Sequence, residues 1–166
     1  MTLSNENMIK RDRLRFTKNK LSANLTLLAI VLNALYFVSI YKTDVGDYYY
    51  KLIIGISVVY NLLFMLTAFL SSEGVKVYKA GYSYVLMGLG LGQIIRIFII
   101  PFNAKNATLV VNGVETTAMS NGQFIRLCVY LIVSAALCIF AGLINLSKTR
   151  TLASRQAEIE RTQKGS

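Results

Sequence analysis

The sequence predicts an all-α polytopic membrane protein, with four transmembrane helices and a small extracytoplasmic β-hairpin loop between helices 3 and 4. Two features carry this prediction. Apolar residues make up 54% of the 166 positions and charged ones only 16%, where an ordinary soluble domain carries about a quarter. The charges are also segregated into the ends and the short connections, which leaves long stretches with no carboxylate at all.

Residues 1–20 form a basic tail with Lys10, Arg11, Arg13, Arg15, Lys18 and Lys20. Its apolar positions, Met8, Ile9, Leu14 and Phe16, are too scattered for more than a weak interfacial helix, which needs a sustained apolar face. Residues 21–41 then run without a charge, and their 21 positions match the ~20 that an α-helix needs to cross hydrocarbon. A cleavable signal peptide would have a shorter apolar region of about 7 to 15 residues and a small-residue cleavage site. Ser39-Ile40-Tyr41-Lys42 is a poor one, so this first helix is expected to stay in place.

A short connection follows, and Tyr41, Tyr48, Tyr49 and Tyr50 suit an aromatic belt at headgroup level. The second helix is expected over 52–70. Residues 71–82 hold Glu73, Lys76 and Lys79, with Tyr78, Tyr82 and Tyr84 as the belt of the opposite interface. The third helix is placed at 83–100, where Pro101, which does not extend a helix comfortably, stops it. An outer loop spans 101–123. Within it Leu109-Val110-Val111-Asn112-Gly113-Val114 reads as two strands about an Asn-Gly turn, both of whose central residues tolerate positive φ. Asn106-Ala107-Thr108 matches the glycosylation sequon, a pattern frequent by chance, and is read as loop. The fourth helix covers 124–146. Residues 147–166 form a polar tail whose Glu160 and Lys164, an i,i+4 pair, suit a prolonged helix.

The basic residues also set the topology. Thirteen Lys and Arg fall in the two tails and the second connection, whereas the first and third connections hold only Lys42, Lys51 and Lys105. The positive-inside rule then places both termini in the cytoplasm, and the plasma membrane is the expected location. The net charge of +10 is thereby accounted for by flanking residues rather than by a nucleic-acid surface. Anionic lipid headgroups are the expected contact of the basic tails.

Catalytic and metal chemistry find little to work with. The chain has no histidine, and no Asp or Glu lies within the four apolar stretches, which removes the usual proton or cation carrier of a small transporter. Cys128 and Cys138, ten residues apart on one helix, would be roughly 15 Å from each other, too far for a disulfide. Neither belongs to a ligand motif, so no metal, cofactor or catalytic residue is expected. Gly88-Leu89-Gly90-Leu91-Gly92 lacks the strand-to-helix context of a phosphate loop.

Arg96 is the most informative residue, because a charged side chain at the centre of a membrane helix costs about 2.5 to 3.5 kcal/mol. Two placements are open to it. It lies five residues before Pro101, about 7 Å of helix, and a long side chain there can snorkel to the headgroups. Alternatively Gly88, Gly92 and Arg96, with Gln93 beside them, form one face of the third helix, and small residues four apart let another helix approach closely. Arg96 then points into protein, with Asp44, Asp47, Glu115 or another chain's carboxylate as partner. Ser134, Cys138 and Gly142 repeat the four-residue step on the fourth helix, and Asn33 and Asn61 are the intramembrane amides. These features suit a non-catalytic subunit that packs against a larger membrane complex, most simply a transporter. The alternative is a homo-oligomeric channel or carrier for a small polar or anionic solute.

Overall fold

The computed structural model describes residues 18–40, 48–106, 108–111, 114–117 and 119–164. Four of its helices are long and apolar enough to cross a membrane, and the chain is an integral membrane protein on that ground. In chain order the elements are α1 (Lys20–Ile40), α2 (Tyr48–Lys76), α3 (Ala80–Ile99), α4 (Pro101–Asn106), β1 (Thr108–Val111), β2 (Val114–Thr117) and α5 (Asn121–Lys164). Hydrocarbon has nothing to offer an open N–H or C=O, so each crossing segment closes its own hydrogen bonds as a helix.

The helices run past their apolar stretches. The second extends beyond Leu70 to Lys76, and its last turn carries an ion pair between Glu73 and Lys76. The chain then reverses within three residues: Lys79 N–H donates to the Gly74 carbonyl, and Tyr78 takes a left-handed φ of 58°. The third helix ends at Ile99, but Pro101 opens α4 instead of leading into loop, which corrects the outer loop expected to begin there. A proline at the first helical position gives up an N–H that has no intrahelical partner anyway. Asn103 Nδ2 donates to the Ile99 carbonyl across the break.

Beyond α4, β1 and β2 pair antiparallel, with Thr108 opposite Thr117 and Val111 opposite Val114. Asn112 and Gly113 lie outside the described residues, as do Ala107 of the sequon, the apolar positions of the N-terminal tail, Tyr41, Asp44, Asp47 and the side chains of Tyr48, Tyr49 and Tyr50. The last helix is 44 residues long, about 66 Å at 1.5 Å per residue. It continues unbroken past 146 because residues such as Ala153, Arg155, Gln156 and Glu158 are good or tolerated helix formers.

Polarity is inverted relative to a water-soluble domain. Asn33, Ser57, Asn61, Gln93, Arg96 and Asn145 are buried, while Val38, Ile56, Leu62, Leu66, Phe98 and Phe140 are each more than half exposed. Water would reward the opposite arrangement, whereas lipid tails accept the apolar surface and leave the polar groups one another. Three layers of apolar contact fill the axis. Tyr36, Ile40, Ile100, Met119, Leu127 and Leu131 pack at one end, Ala29, Phe64, Ala68 and Cys138 in the middle, and Ala23, Val75, Leu86 and Ala141 at the other.

A polar knot ties the end holding Ala23. Asn19 Nδ2 donates to Asn145 Oδ1 (3.0 Å) and Ser22 Oγ (2.9 Å), and Asn19 N–H donates to the Lys76 carbonyl (3.1 Å). Asn145 Nδ2 in turn donates to Ser83 Oγ (2.8 Å) and the Lys79 carbonyl (3.3 Å). Two amides thus join the start of α1, the α2–α3 turn and the middle of α5.

Candidate functional site

The α3 residues that turn inward are Ser83, Leu86, Gly90, Gln93 and Arg96, at steps of three and four that follow the helical period. Arg96 is only 3% exposed. Of the two placements open to it, the inward one is found: its guanidinium lies between α1 and α2 and does not snorkel out.

Among the described residues three side chains receive its protons. One terminal nitrogen, Nη1, donates to Asn61 Oδ1 at 2.8 Å and to Asn33 Oδ1 at 3.2 Å. The other, Nη2, donates to Ser57 Oγ at 2.7 Å. Gln93 Nε2 also donates to Asn33 Oδ1, at 2.9 Å, so a single carbonyl on α1 holds two residues of α3. The guanidinium carbon sits 4.3 Å from the centre of the Tyr36 ring and 4.8 Å from that of Tyr60. Tyr36 comes from α1, and Tyr60 from α2, one turn from Ser57 and beside Asn61.

Energetics explain why a charge is tolerated. A desolvated cation over an aromatic face gains about 2 kcal/mol. Each hydrogen bond between membrane helices adds ~0.6 to 2 kcal/mol, and those here are charge-assisted. Together they match or exceed the insertion cost of about 2.5 to 3.5 kcal/mol. Arginine suits the position better than lysine, since its planar fork reaches partners on two helices and stacks on rings at once. Among the described residues the oxygens it meets belong to amides and a hydroxyl, and Glu115 lies exposed on β2. Asn33 Nδ2, Asn61 Nδ2 and Gln93 Oε1 are buried and make no hydrogen bond among the described residues.

The other residues singled out from the sequence fall into two groups. Ser134, Cys138 and Gly142 line the inner face of α5: Ser134 Oγ donates to the Ala29 carbonyl at 3.1 Å, and Cys138 sits in the middle apolar layer. Gly142 lies against α3, where a Cβ would come within 2.7 Å of the Ser83 carbonyl. On the third helix Gly88 faces outward into open space, and Gly92 is half-buried against the Tyr60 hydroxyl. The glycine that α3 uses for close approach to α5 is Gly90, whose added Cβ would be 2.9 Å from the Ala135 carbonyl. Steps of four drift off the inner face by about 40° each, which is why Gly88, two steps from Arg96, ends up outside.

Sequence reasoning missed Ser57, Tyr36 and Tyr60. A signal was present, because Tyr36 lies three residues from Asn33 and Ser57 four from Asn61, each sharing its helix face. Among the described residues no group of three or more His, Cys, Asp or Glu is placed to hold a metal. These features define an integral membrane bundle built around a buried arginine. No family model, curated protein or solved structure matches the chain.

Proposed function

We propose that the chain is a non-catalytic membrane subunit, with both termini in the cytoplasm and β1–β2 outside the cell membrane, that packs against and stabilises or regulates a larger complex, most simply a transporter. One observation carries this reading: the outer face of α3 presents a recess at Gly88, open where a Cβ would stand. Around it Tyr84, Val85, Leu91 and Ile95 are exposed. A small residue flanked by large apolar ones is the surface on which membrane helices pack most closely.

The test is affinity purification from native membranes in mild detergent. A polytopic membrane protein is expected in fixed stoichiometry. Gly88→Phe fills the recess without touching the bundle, so it removes that partner and leaves the unfolding temperature in detergent unchanged. Retention of the partner by the variant, or recovery of wild type as an active monomer, overturns the reading.

A second reading, a homo-oligomeric carrier for a small polar or anionic solute, draws support from the amide atoms of Asn33, Asn61 and Gln93 beside Arg96. It requires flux into liposomes that contain this protein alone, abolished by Arg96→Leu. Absence of flux leaves the first reading in place.

A further inference from the structure

The polar knot has a second effect, on charge. Holding Asn19, Asn145 and the α2–α3 turn together brings basic residues from three parts of the sequence to one end of the bundle. Lys18 and Lys20 flank Asn19. The backbone of Lys79 is bound by Asn145, and Arg150 follows Thr149, whose hydroxyl donates to the Tyr78 carbonyl at 3.1 Å. Lys148 Nζ donates to Asn19 Oδ1 at 3.1 Å, which fixes a fifth cation against the knot. Among the described residues of this end Glu73 is an acid, and it pairs with Lys76.

Close to these cations in the sequence the surface is apolar: Leu21 follows Lys20, Val77 precedes Lys79 by two residues and Leu143 precedes Lys148 by five, and all three are exposed. Cations beside exposed apolar side chains are complementary to a phosphate joined to acyl chains, and less so to nucleic acid or an acidic protein, which would leave the apolar side chains uncovered. From this juxtaposition we propose that Lys18, Lys20, Lys79, Lys148 and Arg150 form a binding site for the headgroup of an anionic phospholipid. The site is independent of any protein partner and of the reading given above.

The purified full-length chain, placed in phosphatidylcholine nanodiscs with and without phosphatidylglycerol, tests this by thermal unfolding and by native mass spectrometry of retained lipid. Phosphatidylglycerol is expected to raise the unfolding temperature and to persist as adducts. Each cation near an anionic surface is worth roughly a fivefold change in binding, so Lys79→Gln with Arg150→Gln should lower retention on the order of 25-fold. Neither side chain takes part in the knot. The control, Arg155→Gln with Arg161→Gln further along α5, should retain lipid as wild type does. Equal loss in the control, equal stabilisation by phosphatidylcholine alone, or the same upward shift from inorganic phosphate in nonionic detergent overturns the proposal. If Lys79→Gln with Arg150→Gln lowers stability in phosphatidylcholine as well, Lys18→Gln with Lys20→Gln takes its place, and undiminished retention there overturns it too.

Discussion

Asn33→Leu should lower the unfolding temperature in detergent on the order of 10 °C, the largest loss expected from any single polar substitution in the bundle. The Asn33 carbonyl accepts from both Arg96 and Gln93, so its removal takes an acceptor from two buried donors at once. A buried donor left without a partner costs about 1 to 3 kcal/mol. Two give roughly 2 to 4 kcal/mol after relaxation, and for a chain of this size each kcal/mol moves the midpoint by about 2 to 4 °C. Asn33→Asp keeps an acceptor oxygen for both donors and should be far milder. In Arg96→Leu with Asn33→Leu the guanidinium that had lost one of its acceptors is gone, so the double variant should lose less than the sum of the two single losses. Strict additivity would mean that the two side chains are not coupled.

Gly142→Ala is the second large effect, expected to cost about 1 to 3 kcal/mol by overpacking. Its methyl group would meet a main-chain oxygen, the Ser83 carbonyl, at 2.7 Å, and a backbone cannot rotate away as a side chain does. The third and fifth helices must separate to admit it, which also strains the Gly90 contact with Ala135 on the same interface. Gly142→Leu should prevent recovery of folded protein. Gly88→Ala, with open space at its Cβ, should leave the midpoint within about 2 °C, a surface-type substitution within ±0.5 kcal/mol. Thermal unfolding of Gly142→Ala and Gly88→Ala in one detergent measures the contrast, and equal behaviour of the two would contradict the packing described.

How much of this was visible beforehand depends on which force is asked about. The four crossings are legible because transfer into lipid depends on local composition, and residues 21–41 or 52–70 declare it without reference to anything else in the chain. Helix ends are less so. Hydropathy reports where lipid stops, but hydrogen bonding carries the second helix on through Glu73 to Lys76 and the last one to Lys164.

The polar centre was legible in part. Arg96, Asn33 and Asn61 stand out as costly residues in apolar surroundings, but their convergence depends on the relative height and rotation of three helices, which no local pattern encodes. The same limit explains Gly90, which looks like a neighbour of Gly88 and Gly92 until the inner face of α3 is known. Asn19 and Asn145 went unremarked because they sit at the edges of apolar runs, where polar residues draw no notice.

The length of the fifth helix has a mechanical consequence. Residues 147–164 carry the helix about 27 Å past its apolar stretch. Tilting such a rod by about 10° at the membrane swings its tip by roughly 5 Å, on the order of three residues of helical rise. Small rocking of the buried bundle is therefore geared up at Lys164, and a body gripping that tip would be moved by a lever anchored on Gly142 and Asn145.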